Sequence, residues 1–194
     1  FDWKSSQGSN TYVADGSMAL PREFVDQSNV GNMPMFIPFK IHKYFSSDIE
    51  VKIHINSNKF QVGQLQFSWH YMEQYDNNPL TNIYSRSQLP HVLVNAGASN
   101  EATLYIPFKY VQPYMYTTQR KGDLERLTLG WLQCWVVSPL ATGTSGPPSC
   151  SISIFVRFPN AKFTGMRDGS IADPQMEAAA AAMIASAAYD KFIG

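Results

Sequence analysis

Charge is scarce and evenly split in this 194-residue chain: 15 Lys and Arg stand against 15 Asp and Glu, and charged residues make up only 15% of the sequence. A fold that gripped nucleic acid through its own surface would carry a basic excess. Contact with nucleic acid is therefore expected to be weak, local or made by a segment outside this sequence. Cysteine is rare too. Cys134 and Cys150 are the only two, and no CxxC or Cys/His spacing accompanies them, which argues against a disulfide scaffold and against zinc. No Asn-x-Ser/Thr sequon occurs, weakly disfavouring a secreted glycoprotein. No apolar run approaches the ~20 residues of a membrane span. Phe1, Asp2, Trp3 and Lys4 form neither an initiator Met nor a signal peptide, so the expectation is a chain that begins inside a longer product.

Catalytic signatures are missing as well. There is no phosphate-binding Gly-rich loop ending in Lys and Ser/Thr, no HExxH and no EF-hand loop. Gly143, Thr144, Ser145 and Gly146 lack the strand-Ser-helix setting of a nucleophile elbow and read as a surface loop. Arg120, Lys121, Gly122, Asp123, Glu125 and Arg126 form a mixed-sign cluster, read as a solvated loop. No convergent catalytic set can be assembled, so no catalytic residue, metal or cofactor is expected, and an enzyme is not the reading.

Aromatic residues, at 13%, are plentiful, and they sit in period-two patterns. Val51, Ile53 and Ile55 alternate with Glu50, Lys52, His54 and Asn56; Leu65, Phe67, Trp69 and Tyr71 alternate with Gln64, Gln66, Ser68 and His70. Side chains alternate across a strand, so each run predicts a strand with one buried and one wet face. Ser57 to Gly63 joins them, either as an antiparallel hairpin or as a link between strands of facing sheets. Further strands are predicted over 90–94, 102–106, 124–136 and 151–158. The stretch 129–137 is apolar on both sides and predicts cover on both faces. Near the start, Ala14, Asp15 and Gly16 read as a tight turn between 11–13 and 17–20. Many short strands punctuated by Pro, Gly, Ser and Asn clusters predict an all-β sandwich or barrel.

The tail differs in kind. Asp173 at an N-cap position, Pro174 and Glu177 precede an alanine-rich run to Ala188, which predicts one helix over 174–191. Met176, Ala180, Met183, Ile184 and Ala187 would share a face. Met176, Met183, Ile184 and Tyr189 are the candidate residues of an inter-subunit or membrane-active helix. Of the four histidines, His42, His54, His70 and His91, the pair His54 and His70 lies on the polar side of predicted strands. An ordinary surface or interface role is the simpler reading. The sharper one makes them pH sensors, since imidazole changes charge between pH 5 and 8.

Several landmarks then occur in a familiar order. Asn58, Lys59, Phe60, Gln61, Val62, Gly63 and Leu65 follow one strand and open the next. His91 to Asn95 leads to Ala102 to Ile106 and then Pro107 and Phe108. Residues 127–140 close with Ser138, Pro139 and Leu140. Residues 151–158 lead to an exit carrying Phe163, Gly165 and Arg167. In this order they resemble the major capsid proteins of picorna-like insect viruses, of the iflavirus and dicistrovirus type, and the exit is similar to that of the second of the three major subunits. The resemblance covers residues 1–167. It implies an eight-stranded antiparallel jelly-roll β-sandwich over 1–167, whose first strand begins upstream of Phe1, with 168–194 as a linker and helical tail. It also implies a polyprotein-derived structural subunit that assembles in the host cytoplasm with sister subunits into a pseudo-T=3 icosahedral virion shell around single-stranded RNA. Genomic RNA would touch the inner surface weakly and without specificity, and a host receptor is unnamed.

The tail departs from the family pattern. It could pack on a neighbouring subunit, line the shell interior, or act as a releasable peptide making the only membrane contact. Jelly rolls also serve as lectins and cupins. The rival readings are therefore a soluble carbohydrate- or receptor-binding module and a cupin-like enzyme, the latter needing a His-rich metal set that is not found.

Overall fold

Alternation of apolar and polar side chains is what the backbone follows. The computed structural model describes residues 1–23, 37–72, 82–97, 100–117, 128–143 and 146–166. In chain order these hold β1 (Asp2–Lys4), a 3-10 turn (Ala14–Gly16), β2 (Met18–Pro21), α1 (Ile37–Ile41), β3 (His42–Ser46), β4 (Ile49–Asn56), β5 (Val62–Tyr71), α2 (Ile83–Arg86), β6 (His91–Asn95), β7 (Glu101–Ile106), β8 (Met115–Tyr116), β9 (Thr128–Ala141), β10 (Ser149–Arg157) and β11 (Lys162–Met166). The chain divides into two compact units, Phe1–Thr164 and Gly165–Gly194, and all but Gly165 and Met166 of the described residues belong to the first. The predicted tail helix, with Met176, Met183, Ile184 and Tyr189, and the 120–126 cluster lie outside the described residues.

Eight strands form two four-stranded sheets, ordered β1-β10-β4-β7 and β2-β9-β5-β6, and every pairing within them is antiparallel. The chain crosses between the sheets from β1 to β2, from β4 to β5, from β6 to β7 and from β9 to β10, and, by way of β3 and β8 of a third sheet, from β2 to β4 and from β7 to β9. These crossings make a jelly roll rather than a meander, as the resemblance implied. The β4–β5 alternative is settled: the two strands belong to different sheets, so residues 57–61 bridge the sandwich and do not turn a hairpin. A third, small sheet, β11-β3-β8, packs around Phe39, Phe45, Phe158 and Phe163, whose rings lie 4.6–6.2 Å apart.

The inner faces supply the core. Ile49, Val51, Ile53 and Ile55 from β4 meet Leu65, Phe67 and Trp69 from β5, and Leu132, Cys134 and Val136 from β9; all are fully buried. Trp3 is fully buried as well, although β1 has only three residues. Each such large side chain contributes roughly 1.5–3 kcal/mol by leaving water.

Two expectations need correction. Residues 11–13 and 17–20 do not fold back on each other. Tyr12 bridges to Trp135 and Met18 pairs with Leu132, so both flanks run along β9 in one direction, and the 3-10 turn over 14–16 joins them without reversing the chain. The polar face of β5 is not wet either: Gln66, Ser68 and His70 are all buried. The cover predicted for both faces of β9 is present, with Gln133 and Trp135 on the outer side also buried.

Candidate assembly surface

Three regions of surface stand out, and the first is one end of the sandwich. Asn58 and Gln61 close the turn after β4: Gln61 N–H donates to Asn58 O (2.9 Å), and Asn58 N–H donates to Gln61 Oε1 (2.8 Å). The Gln61 amide is buried, and its Nε2 donates to Pro147 O (3.0 Å) and Ser149 O (3.1 Å), tying this turn to the connection before β10. Ser57 Oγ donates to Ala96 O, and Ser5 N–H donates to Pro148 O (2.8 Å). Gly63 is glycine because a Cβ there would meet Trp3 Cη2 at 2.5 Å. Four connections are thus bonded into one rim, above which Phe60 (76% exposed) and Val62 (64% exposed) project. A rigid base carrying exposed apolar tips is what a protein contact requires.

The outer face of the β1-β10-β4-β7 sheet is the second region. Its charges neutralise each other. Glu101 lies 2.9 Å from Lys52 Nζ and 3.1 Å from His54 Nδ1, and Arg157 Nη2 lies 2.5 Å from Glu50. The Lys52 hydrogen bond is the main reason the Glu101 carboxyl titrates below its usual range. Tyr105 OH donates to Asp48 Oδ2 (2.6 Å) and Phe108 N–H to Asp48 Oδ1 (2.7 Å); these bonds, the tyrosine's first, hold the Asp48 carboxyl low. Exposed among these pairs are Phe155 and Tyr105.

On the opposite face, outside the β2-β9-β5-β6 sheet, the arrangement is closed. Asn82 caps α2 by accepting from Tyr84 N–H (3.0 Å). The helix lays Arg86 (0% exposed) on the sheet, with its guanidinium carbon 3.9 Å from the Trp135 ring centre and Nη2 donating to Asn10 Oδ1 (2.7 Å). Asn10 adopts a left-handed φ of 61°, which Asn tolerates better than most residues. His70 (5% exposed) lies in the same layer, its Nε2 3.4 Å from Ser68 Oγ. Burial first, and the Arg86 charge second, push its pKa down to about 4.

The sequence candidates therefore separate. His54 is a partly exposed member of an ion-paired row, whereas His70 is buried on the outer side of β5. His42 and His91 are held by backbone carbonyls, through Nδ1 contacts to Pro38 O (3.0 Å) and Leu89 O (2.8 Å). Both cysteines are free and buried, and burial pushes the Cys150 thiol up to about 11 and Cys134 higher still. Among the described residues no group of three His, Cys, Asp or Glu could hold a metal ion, and no helix is long and apolar enough to cross a membrane. The third region is a cleft of about 490 Å³ beside Met72, Phe108, Tyr110, Val111 and Pro113, with Lys109 Nζ 5.7 Å from the Tyr71 ring centre. Gln61 and Arg86 are the residues that sequence reasoning missed. Gln61 could be noticed only through its place in the Phe60-Gln61-Val62-Gly63 motif, and nothing in the sequence around Arg86 marks it as buried.

Comparison with known proteins gives the constellation its setting. A family profile for the picornavirus capsid protein matches residues 38–136. A genome polyprotein of deformed wing virus is 40% identical over 170 residues, 83% of this chain, and one of Ectropis obliqua picorna-like virus is 29% identical over 174 residues, 86% of this chain. The chain spans 6% of the length of either polyprotein. Among solved structures, that of deformed wing virus, a honeybee pathogen, superposes with a TM-score of 0.77 at 36% identity, covering 88% of this chain and 70% of that one. Sacbrood virus of honeybee in its expansion state II gives 0.77 at 26% identity, covering 86% and 93%. The chain belongs to the picornavirus capsid protein family: it is a structural capsid subunit of a small RNA virus of the insect picorna-like kind.

Proposed function

We propose that this chain is the second of three major subunits, cut from a polyprotein, that close a pseudo-T=3 icosahedral shell around single-stranded RNA in the host cytoplasm. The observation that carries this reading is the bonded rim with Phe60 and Val62 exposed above it, beside an outer sheet face whose charges cancel in pairs. Exposed apolar groups on a rigid base gain free energy only when another surface covers them. Paired charges on the adjoining face spare a neighbour the cost of burying an uncompensated ion. With a formal net charge of zero, the chain contributes little to holding RNA, so its contact with the genome is weak and non-specific. The helical reading of residues 174–191, with Met176, Met183, Ile184 and Tyr189 toward a neighbouring subunit, belongs to the same proposal. If this segment instead acts on membranes, a synthetic 173–194 peptide is expected to release dye from liposomes, and no release rejects that alternative.

The test is co-expression of the full capsid region of the polyprotein, followed by sedimentation and negative-stain microscopy. Closed shells containing this chain in equal number with two sister subunits are expected. Monodisperse single chains under every assembly condition would overturn the reading.

A further inference from the structure

A sheet that does not close on itself ends in strands with unpaired backbone, and folds blunt such edges with brevity, charge, proline or bulges. The two large sheets end in β1 and β7, and in β2 and β6. β1 has only three residues, two of which are the charged Asp2 and Lys4. β2 carries Pro21 and a register shift at Leu20/Pro21. β7 opens on the charged Glu101. β6 has none of these devices. Its sequence, His91-Val92-Leu93-Val94-Asn95, holds no proline, lysine, arginine or acid, and it pairs with β5 in unbroken register.

Two bonds fix the direction of its backbone groups. Trp69 N–H donates to Pro90 O (2.9 Å), and Ala96 N–H donates to Gly63 O (3.0 Å). In an antiparallel ladder such bonds flank a cross-strand pair that exchanges none of its own, here Ser68 with His91 and Gln64 with Asn95. Alternation adds Gln66 with Leu93. The N–H and C=O groups of His91, Leu93 and Asn95 therefore point away from β5, and among the described residues nothing bonds them. Their side chains lie on the outer face, where Leu93 is 45% exposed, while Val92 and Val94 pack on the core.

Side chains directly opposite each other in a ladder share a face. A strand that completes this edge thus needs apolar residues opposite Val92, Leu93 and Val94, and polar ones opposite His91 and Asn95. That order, polar, three apolar, polar, is the order of β6 itself, and it is the same from either end. We propose that β6 is a self-pairing edge: two copies of this chain join through it, antiparallel about a two-fold axis at Leu93, and their β2-β9-β5-β6 sheets become one continuous sheet. Leu93 then meets its own copy, Val92 meets Val94, and His91 meets Asn95. Every outward N–H faces an outward C=O, and no like charges oppose each other. The strand has five residues, so the contact is small and the free pair forms only at high protein concentration. It concerns the purified chain alone and can fail without touching the shell reading.

A cysteine at the proposed axis reads the pairing directly. Leu93→Cys places two thiols on Cα atoms about 5.5 Å apart, within the span of a disulfide, and the native Cys134 and Cys150 are buried. Under mild oxidation of the 194-residue chain, Leu93→Cys is expected to form covalent dimers roughly tenfold faster than Val111→Cys, a position 81% exposed outside the strands. Sedimentation velocity supplies a second arm. The parent should sediment faster as its concentration rises, and Leu93→Lys and Leu93→Pro should abolish that rise. Both leave the ladder to β5 intact, because the lysine lies on the exposed face and the N–H that proline lacks points outward. Leu93→Lys is expected to keep the parent's urea midpoint and carries this arm if proline weakens the strand. Cross-linking of Leu93→Cys no faster than Val111→Cys, a parent that stays a single chain at every concentration, or self-association undiminished in Leu93→Lys would each overturn the pairing. So would protection of the Leu93 and Asn95 amides from hydrogen exchange that appears only when sister capsid chains are added, since the occupant would then be a different strand.

Discussion

At the scale of single residues, Gly130 shows how little room the sandwich leaves. It pairs with Tyr71 across β9 and β5, and a Cβ built on it would come within 2.1 Å of the His70 carbonyl oxygen and 2.8 Å of Trp69 Cζ2. Backbone cannot give way as a side-chain tip can. Gly130→Ala is therefore expected to destabilise the chain by about 3 kcal/mol, read as a lower urea midpoint. Gly143→Ala, where a Cβ meets nothing within 4 Å, should stay within roughly 0.5 kcal/mol of the parent. His70 adds a pH dependence of definite sign. At pH 7 its ring is neutral in both folded and unfolded chains and contributes nothing to the difference between them. As pH falls through about 6.5 the unfolded chain takes up a proton that the folded one refuses, so stability declines until about pH 4, where the folded ring also charges. The loss approaches 3 kcal/mol at about 1.4 kcal/mol per pH unit. Urea titrations at pH 7 and pH 4 should show that share of the decline in the parent and not in His70→Gln.

At the scale of elements, what was legible depended on whether a strand's pattern could be produced in only one way. Val51, Ile53 and Ile55 announce β4 because period-two burial of β-branched residues has no good helical alternative. Apolar–polar alternation likewise marked β5, and short apolar runs bounded by turn residues marked β6, β7 and β10. The short strands β3, β8 and β11 escaped because their stability comes from Phe39, Phe45, Phe158 and Phe163 meeting across 124 positions of sequence, and no local window contains that contact. The outer face of β5 was misread for a related reason. Gln66, Ser68 and His70 give the same alternation whether water or a covering segment lies over them, and the cover seen at the Trp135 end of this face, Arg86 with Asn10, comes from other parts of the chain. The turn after β4 was recognised as a motif, but its purpose lies in the Gln61 amide. Gln61→Ala removes two buried donors from the Pro147 and Ser149 carbonyls. A cost of roughly 1–3 kcal/mol is expected, and the connection around Gly143 and Gly146 should be cut sooner in limited proteolysis while the far end of the sandwich keeps its resistance.

At the scale of the whole molecule, folding and assembly draw on different residues, and this separation can be tested. The side chains that hold the sandwich together, from Trp3 to Ile152, are buried and would not be reached by a neighbour. Phe60, Val62 and Phe155 are largely exposed and support no part of the core. An aspartate in place of an exposed phenylalanine should therefore leave the single chain's stability within roughly 0.5 kcal/mol of the parent. At a subunit contact the same change is severe, since it strips an aromatic anchor and buries an unpaired charge, with losses of 2 kcal/mol or more at a central position. A shell repeats each contact symmetrically, so even a modest loss per contact shifts the balance from closed particles to free subunits. Phe60→Asp is expected to unfold in urea as the parent does and yet, when co-expressed with the rest of the capsid region, to leave material at the top of a sucrose gradient. Phe155→Asp asks the same question of the outer sheet face, where the flanking charges are already paired. If both variants formed particles in parental yield, the contacts between subunits would have to be sought away from the bonded rim and the β10 face.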